Sequence, residues 1–135
     1  MQSMKDCEVA IIGAGPYGLS AAAHLKALGM EVRVFGEPME FWANGTPPGM
    51  LLRSPREAST ISDPRSAWTL EEYEKAHGIA PVKRLPKDTF VNYGKWFQTR
   101  LEDGLDRRNV ARLCRSRPTM HRQSPDRDWR RPERG

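Results

Sequence analysis

The chain has 135 residues, 38% hydrophobic and 29% charged, with 11 glycines, 11 prolines and a formal net charge of +5. That length suggests about one domain, and a mean hydropathy of −0.71 without any long apolar run leaves a thin core and nothing that spans a bilayer. Two distant cysteines, Cys7 and Cys114, argue against a disulfide framework or a zinc site and for a reducing, cytoplasmic setting, and no signal peptide is expected from the opening residues.

Glu8–Ile12 is a β-branched run that ends in glycine, the pattern of a first strand in a buried parallel sheet. Pro16 or Tyr17 should start a helix, since proline costs nothing in a first turn. The alanine- and leucine-rich text that follows favours helix up to Gly29, with Leu19, Ala22, Ala23 and Ala27 or Leu28 able to face the sheet. Val32–Phe35 predicts the second strand. From Gly36 to Arg65 the text is rich in proline and glycine and predicts a long irregular loop, a feature that in compact domains is usually functional or disordered. Thr69 with Glu72 forms a capping box that opens a helix running to about His77. After a proline-spaced linker, a longer helix begins near Thr89, with Phe90, Tyr93, Phe97, Leu101 and Leu105 as its core-facing stripe. Residues 109–113 read as the start of another strand.

Beyond residue 111 the character changes. Residues 112–135 hold eight arginines, no lysine and three acidic side chains, whereas residues 1–111 carry 14 basic and 14 acidic groups. The net charge therefore belongs to the tail and says nothing about the body. Three readings of this tail stand side by side: a shifted reading frame or truncation, a solvated tail, and a nucleic-acid-binding segment. The expected organisation is residues 1–111 as a folded unit and 112–135 as a disordered, arginine-rich tail.

The most informative stretch is Gly13-Ala14-Gly15-Pro16-Tyr17-Gly18, which matches G-x-G-x-x-G. Alone the pattern is weak; between a strand and a helix, with a second strand just past Gly29, it reads as a dinucleotide-binding turn. Gly13 permits the tight turn, Gly15 lets a pyrophosphate approach the backbone, and Gly18 allows helix and strand to pack closely. The anion would sit at the helix N-terminus, where unpaired N–H groups and the macrodipole favour it. The second strand normally ends in an acid that takes the ribose hydroxyls, yet here Gly36 fills that slot and Glu37 follows one step late. Glu37 can serve if the strand end bulges by one residue, or the ribose is held by other groups; the missing acid can also make room for a 2′-phosphate, with Arg33 as its partner.

These residues resemble the two-dinucleotide-domain flavoproteins, in particular the class B flavin monooxygenase-like group that includes relatives of the lysine and ornithine N-hydroxylases. Phe41-Trp42 and the segments 47–55, 61–66 and 90–98 carry the resemblance further, over about residues 7–113. It implies an α/β fold: a Rossmann-like FAD/NAD(P)-binding βαβ unit with a parallel sheet, here an incomplete domain. It also implies FAD as cofactor, with NAD(P)H bound by a second domain in full-length relatives. Gly13, Gly15, Pro16, Tyr17 and Gly18 would hold the pyrophosphate, Phe35, Gly36 and Glu37 would flank the adenosine ribose, and Trp42, Met50, Leu52 and Arg53 would lie on the loop nearest the flavin. The chain shows no second glycine-rich unit, no metal-ligand cluster and no catalytic triad, so no catalytic residue is singled out. The expected function is the N-terminal FAD-binding portion of a flavin-dependent oxidoreductase of the monooxygenase type, inactive alone. Two alternatives remain: an NAD(P)-binding module without flavin, and a basic-tailed protein that binds nucleic acid. Neither nucleic acid nor a membrane is the expected partner.

Overall fold

The computed structural model describes residues 6–115, so most of the arginine-rich tail, residues 116–135, lies outside the described residues. Strand β1 (Val9–Ile12), helix α1 (Pro16–Ala27) and strand β2 (Val32–Phe35) form the βαβ unit that the sequence predicts. The two strands run parallel in register from Val9 opposite Val32 to Ile12 opposite Phe35. A third parallel strand, β3 (Leu105–Asp106), pairs with the other side of β2, giving the order β1-β2-β3. Between β2 and β3 the chain builds a helical lobe from α2 (Glu40–Asn44), α3 (Leu70–His77) and α4 (Lys87–Arg100), with a 3-10 turn at Arg56–Ser59.

Alternation in the strands decides which face is covered. Val32 and Val34 are buried and Val9, Ile11 and Leu105 pack against the same core, together with Leu19, Ala22 and Ala23 of α1. That core continues into the lobe through Phe90, Val91, Tyr93 and Phe97 of α4, Leu101 just past its end, and Leu70 and Tyr73 of α3. Each fully buried large apolar side chain of this kind contributes about 1.5–3 kcal/mol. Thr69 caps α3 as the capping box predicts, its hydroxyl accepting from the Glu72 N–H at 3.2 Å.

Four expectations need correction. The segment 36–65 is not wholly irregular, because it holds α2 and the 3-10 turn. Ala27 and Leu28 do not face the sheet; both are exposed, Leu28 at 76%. Leu105 is not on α4: that helix ends at Arg100, Glu102 turns into the left-handed region at φ 59°, and Leu105 lies in β3. Residues 109–113 form no strand, since the pairing with β2 is made by Leu105 and Asp106 instead.

Candidate functional site

The carboxyl ends of β1 and β2 and the segment that follows β3 converge on one cavity of about 370 Å³. This is the end of a parallel sheet where ligands of doubly wound folds sit, and the volume lies within the range of small-molecule sites. Its lining includes Gly13, Gly15, Phe35, Gly36, Glu37 and Trp42, with Met39, Phe41 and Asn109. A second cavity of about 390 Å³ is lined by Pro16, Tyr17, Trp42, Leu52, Ile61 and Phe90, with the hydroxyls of Ser20, Ser54, Ser59, Thr60 and Ser62. Trp42 lines both, and the consecutive residues Gly15 and Pro16 line one each. All nine cofactor-site residues expected from the sequence except Gly18 thus border one of two adjoining spaces. Of the flavin-loop residues, Leu52 and Trp42 line the second space, while Met50 and Arg53 line neither.

The glycines of the turn separate by what the fold demands of them. Gly13 has φ +110° and its N–H donates to the Phe35 carbonyl at 2.8 Å, so the turn leaves β1 in a conformation that favours glycine. A Cβ on Gly18 would collide with the Gly13 carbonyl oxygen and press on Ile11, which is the close helix–strand packing that its position predicts. Gly15 is different. Its backbone is extended, at φ −83° and ψ −174°, and a Cβ there would meet nothing within 4 Å. Nothing in the protein requires glycine at this position. It is moreover the N-cap of α1, where serine, threonine, aspartate or asparagine would bond the first-turn N–H groups, and α1 has no side-chain cap bond. The helix presents its N-terminal donors and positive dipole end to the open space that the missing side chain leaves.

At the end of β2, Gly36 has φ +125°, and its N–H donates to the Asp106 carbonyl at 2.8 Å. The acid's usual slot is therefore a left-handed turn that side chains rarely adopt, and the next residue, Glu37, borders the cavity instead. The Glu37 carboxylate is ion-paired with Arg107. Arg33 does not line the cavity: it reaches Asp106 at 3.2 Å on the sheet face and lies over the Phe35 ring. The Arg108 guanidinium and N–H, with Arg33 beyond, hold the Asp106 carboxyl well below the usual carboxylate range.

Trp42 is fixed by the lobe beneath it. Its ring meets Phe90 edge-on at 4.9 Å, and the buried Lys87 ammonium donates to the carbonyls of Ala43 at 3.1 Å and Thr46 at 2.8 Å, at the C-terminal end of α2. Met39, at the start of α2, is fully buried with φ 61°, and its N–H donates to the Ala14 carbonyl of the turn. Lys87, Met39 and Arg107 carry no local sequence signal for these roles. Among the described residues no group of three or more potential metal ligands gathers, and no helix is long and apolar enough to cross a membrane.

A family model described as FAD-NAD(P)-binding matches residues 10–135. No curated protein matches the chain. Among solved structures, a flavin-containing monooxygenase from Stenotrophomonas maltophilia matches with a TM-score of 0.62 at 20% identity, over 77% of this chain and 29% of its own. Bacillithiol disulfide reductase Bdr (YpdA) from Staphylococcus aureus gives 0.61 at 22% identity, over 76% and 28%. Lysine monooxygenase NbtG from Nocardia farcinica gives 0.61 at 20% identity, over 72% and 34%. At these identities the likeness is one of fold, and the chain spans about a third or less of each of these structures.

Proposed function

Because the chain belongs to the FAD-NAD(P)-binding family, we propose that it is the N-terminal FAD-binding portion of a flavin-dependent oxidoreductase of the monooxygenase type. The observation that carries the site is Gly15: the fold has no use for glycine there, whereas a pyrophosphate lying against the helix N-terminus does. The residues present fit such a group. Gly13, Gly15 and the first turn of α1 (Pro16, Tyr17, Gly18) would receive the pyrophosphate, and Phe35, Gly36 and Glu37 would flank the adenosine ribose. The second space, apolar at Trp42, Leu52, Ile61 and Phe90 and lined with hydroxyls elsewhere, suits a flat conjugated ring with one polar edge.

FAD, when bound, supplies the redox chemistry; this chain's residues bind it, orient it and cover one side of it. The sequence holds one glycine-rich unit, and turnover would draw on a nicotinamide-binding unit beyond it, so the chain by itself is expected to bind without turning over. The neighbours include both monooxygenases and a disulfide reductase; the motifs at 41–42, 47–55 and 90–98 favour the monooxygenase reading.

Titration of the purified chain with FAD, followed by flavin fluorescence beside parallel titrations with NADH and NADPH, tests this. Saturable binding of FAD in preference to both nicotinamides is the expected result. Preference for a nicotinamide nucleotide would replace the flavin reading with that of a non-flavin module.

A further inference from the structure

We propose that Arg107 is a positioning residue that holds the Glu37 carboxylate for the 2′-hydroxyl of the adenosine ribose; this rests on the nucleotide reading of the cavity above. The β2–β3 ladder places the two residues together. Phe35 pairs with Asp106, and the Gly36 N–H closes the ladder on the Asp106 carbonyl, so Glu37 and Arg107 follow directly where the two strands end and meet there, Glu37 also bordering the cavity. Of the two consecutive arginines, Arg108 folds back on Asp106, with its Nε 2.9 Å from Oδ1. Arg107 instead reaches across, its Nη1 donating to Glu37 Oε1.

Burial does not account for this pair. The Arg107 side chain is 63% exposed and that of Glu37 43%, and exposed ion pairs add little to folding. Its consequence is geometric. Glu37 follows a glycine in the left-handed region and has no strand ladder to orient it, so a carboxylate there would sample several rotamers. Arg107 engages one oxygen, and a carboxylate has about four acceptor sites. The remaining acceptors of a fixed Glu37 are available to a sugar hydroxyl at the cavity that Glu37 lines. The late acid thereby recovers the role that Gly36 cannot fill.

The test uses ADP and 2′-deoxy-ADP as displacing ligands for bound FAD, with the wild-type chain and the variants Arg107→Ala, Arg107→Lys and Glu37→Gln. Wild type should prefer ADP over 2′-deoxy-ADP by about tenfold, the size of one good charge-assisted hydrogen bond. Arg107→Ala and Glu37→Gln should each bring that ratio close to one, the double variant should do no more than either, and Arg107→Lys should restore part of it. An Arg107→Ala variant that weakens both ligands alike and keeps their ratio would overturn the proposal, because the arginine would then act on the phosphates or on folding. Equal binding of the two ligands by wild type would overturn it as well, leaving the pyrophosphate site intact. Failure of wild type to bind FAD or ADP at all would overturn the cavity reading and this inference with it.

Discussion

The two halves of the molecule treat their polar groups in opposite ways. In the helical lobe they are matched internally. The Tyr93 hydroxyl accepts from the Ile61 N–H at 3.1 Å and donates to the Trp68 carbonyl at 2.6 Å. The buried Asp63 carboxylate takes the N–H groups of Arg65, Ala67 and Trp68 at 3.0–3.2 Å. Glu74 departs from the pattern, facing Arg56 in an ion pair without a well-directed hydrogen bond. At the glycine-rich turn the helix end is uncapped, and Ile12, Tyr17 and Phe41 are exposed at 50%, 93% and 71%. Saturated groups and filled volume make stability; donors and surfaces left open make a place for a ligand. The contrast predicts that substitutions in the lobe act on folding, while those at the turn act on binding.

The largest effect should come from Phe97, fully buried in α4 and edge-on to Trp68 at 5.5 Å. Phe97→Ala should cost about 3–5 kcal/mol, from lost transfer energy and the cavity left behind, read as a lowered midpoint in denaturant. If nucleotide affinity of the remaining folded fraction fell with it, the separation of the two halves would be broken. Gly18→Ala comes next, at about 1–3 kcal/mol, because the new methyl meets backbone rather than a movable side chain. Although it sits in the nucleotide motif, thermal denaturation without ligand should already register the loss.

Tyr93→Phe should cost about 1–2 kcal/mol, since it leaves the Ile61 N–H and the Trp68 carbonyl without partners in a buried setting. The same residue sets a pH dependence. Burial pushes the Tyr93 phenol up from 10.0 to about 12, so between those values the unfolded chain has lost a proton that the folded chain keeps. Stability from this group is therefore full below about pH 10 and is lost as pH rises towards 12. Denaturant titrations across that window should show the decline in wild type and a shallower one in Tyr93→Phe.

What the sequence made legible is what local residues decide. The βαβ unit follows from an apolar run, a proline in the first turn and a glycine pattern within about 30 residues. The α3 cap follows from the Thr69–Glu72 box and the α4 stripe of Phe90, Tyr93 and Phe97 from helical spacing. What it hid depends on partners far along the chain. β3 has only two residues, and its strand character comes from lying beside β2, so neither the α4 period carried on to Leu105 nor a strand at 109–113 matches the fold. The left-handed Met39 is held by its N–H bond to Ala14 and by packing over Gly94, where a Cβ would collide with its side chain. Arg107 meets Glu37 across 70 residues. The glycines at 13, 15 and 18 were legible as a motif, but only the structure separates the two that the fold requires from the one it does not.

That separation yields the smallest change in stability and the sharpest test of the contrast. Serine is a better N-cap than alanine and at least as good as glycine, because its hydroxyl can accept from the second or third N–H of the helix. The extended backbone at Gly15 accommodates it, and the space ahead is open. Gly15→Ser should therefore leave stability unchanged or raise it by roughly a few tenths of a kcal/mol. The same hydroxyl would occupy the approach to the helix N-terminus and take a donor meant for an anion. FAD affinity should fall by about tenfold or more, the equivalent of one charge-assisted hydrogen bond lost. A variant more stable than wild type yet poorer at binding would show that the uncapped end is kept for a ligand. A variant that binds FAD as well as wild type would mean that the open end of α1 is not where the pyrophosphate lies.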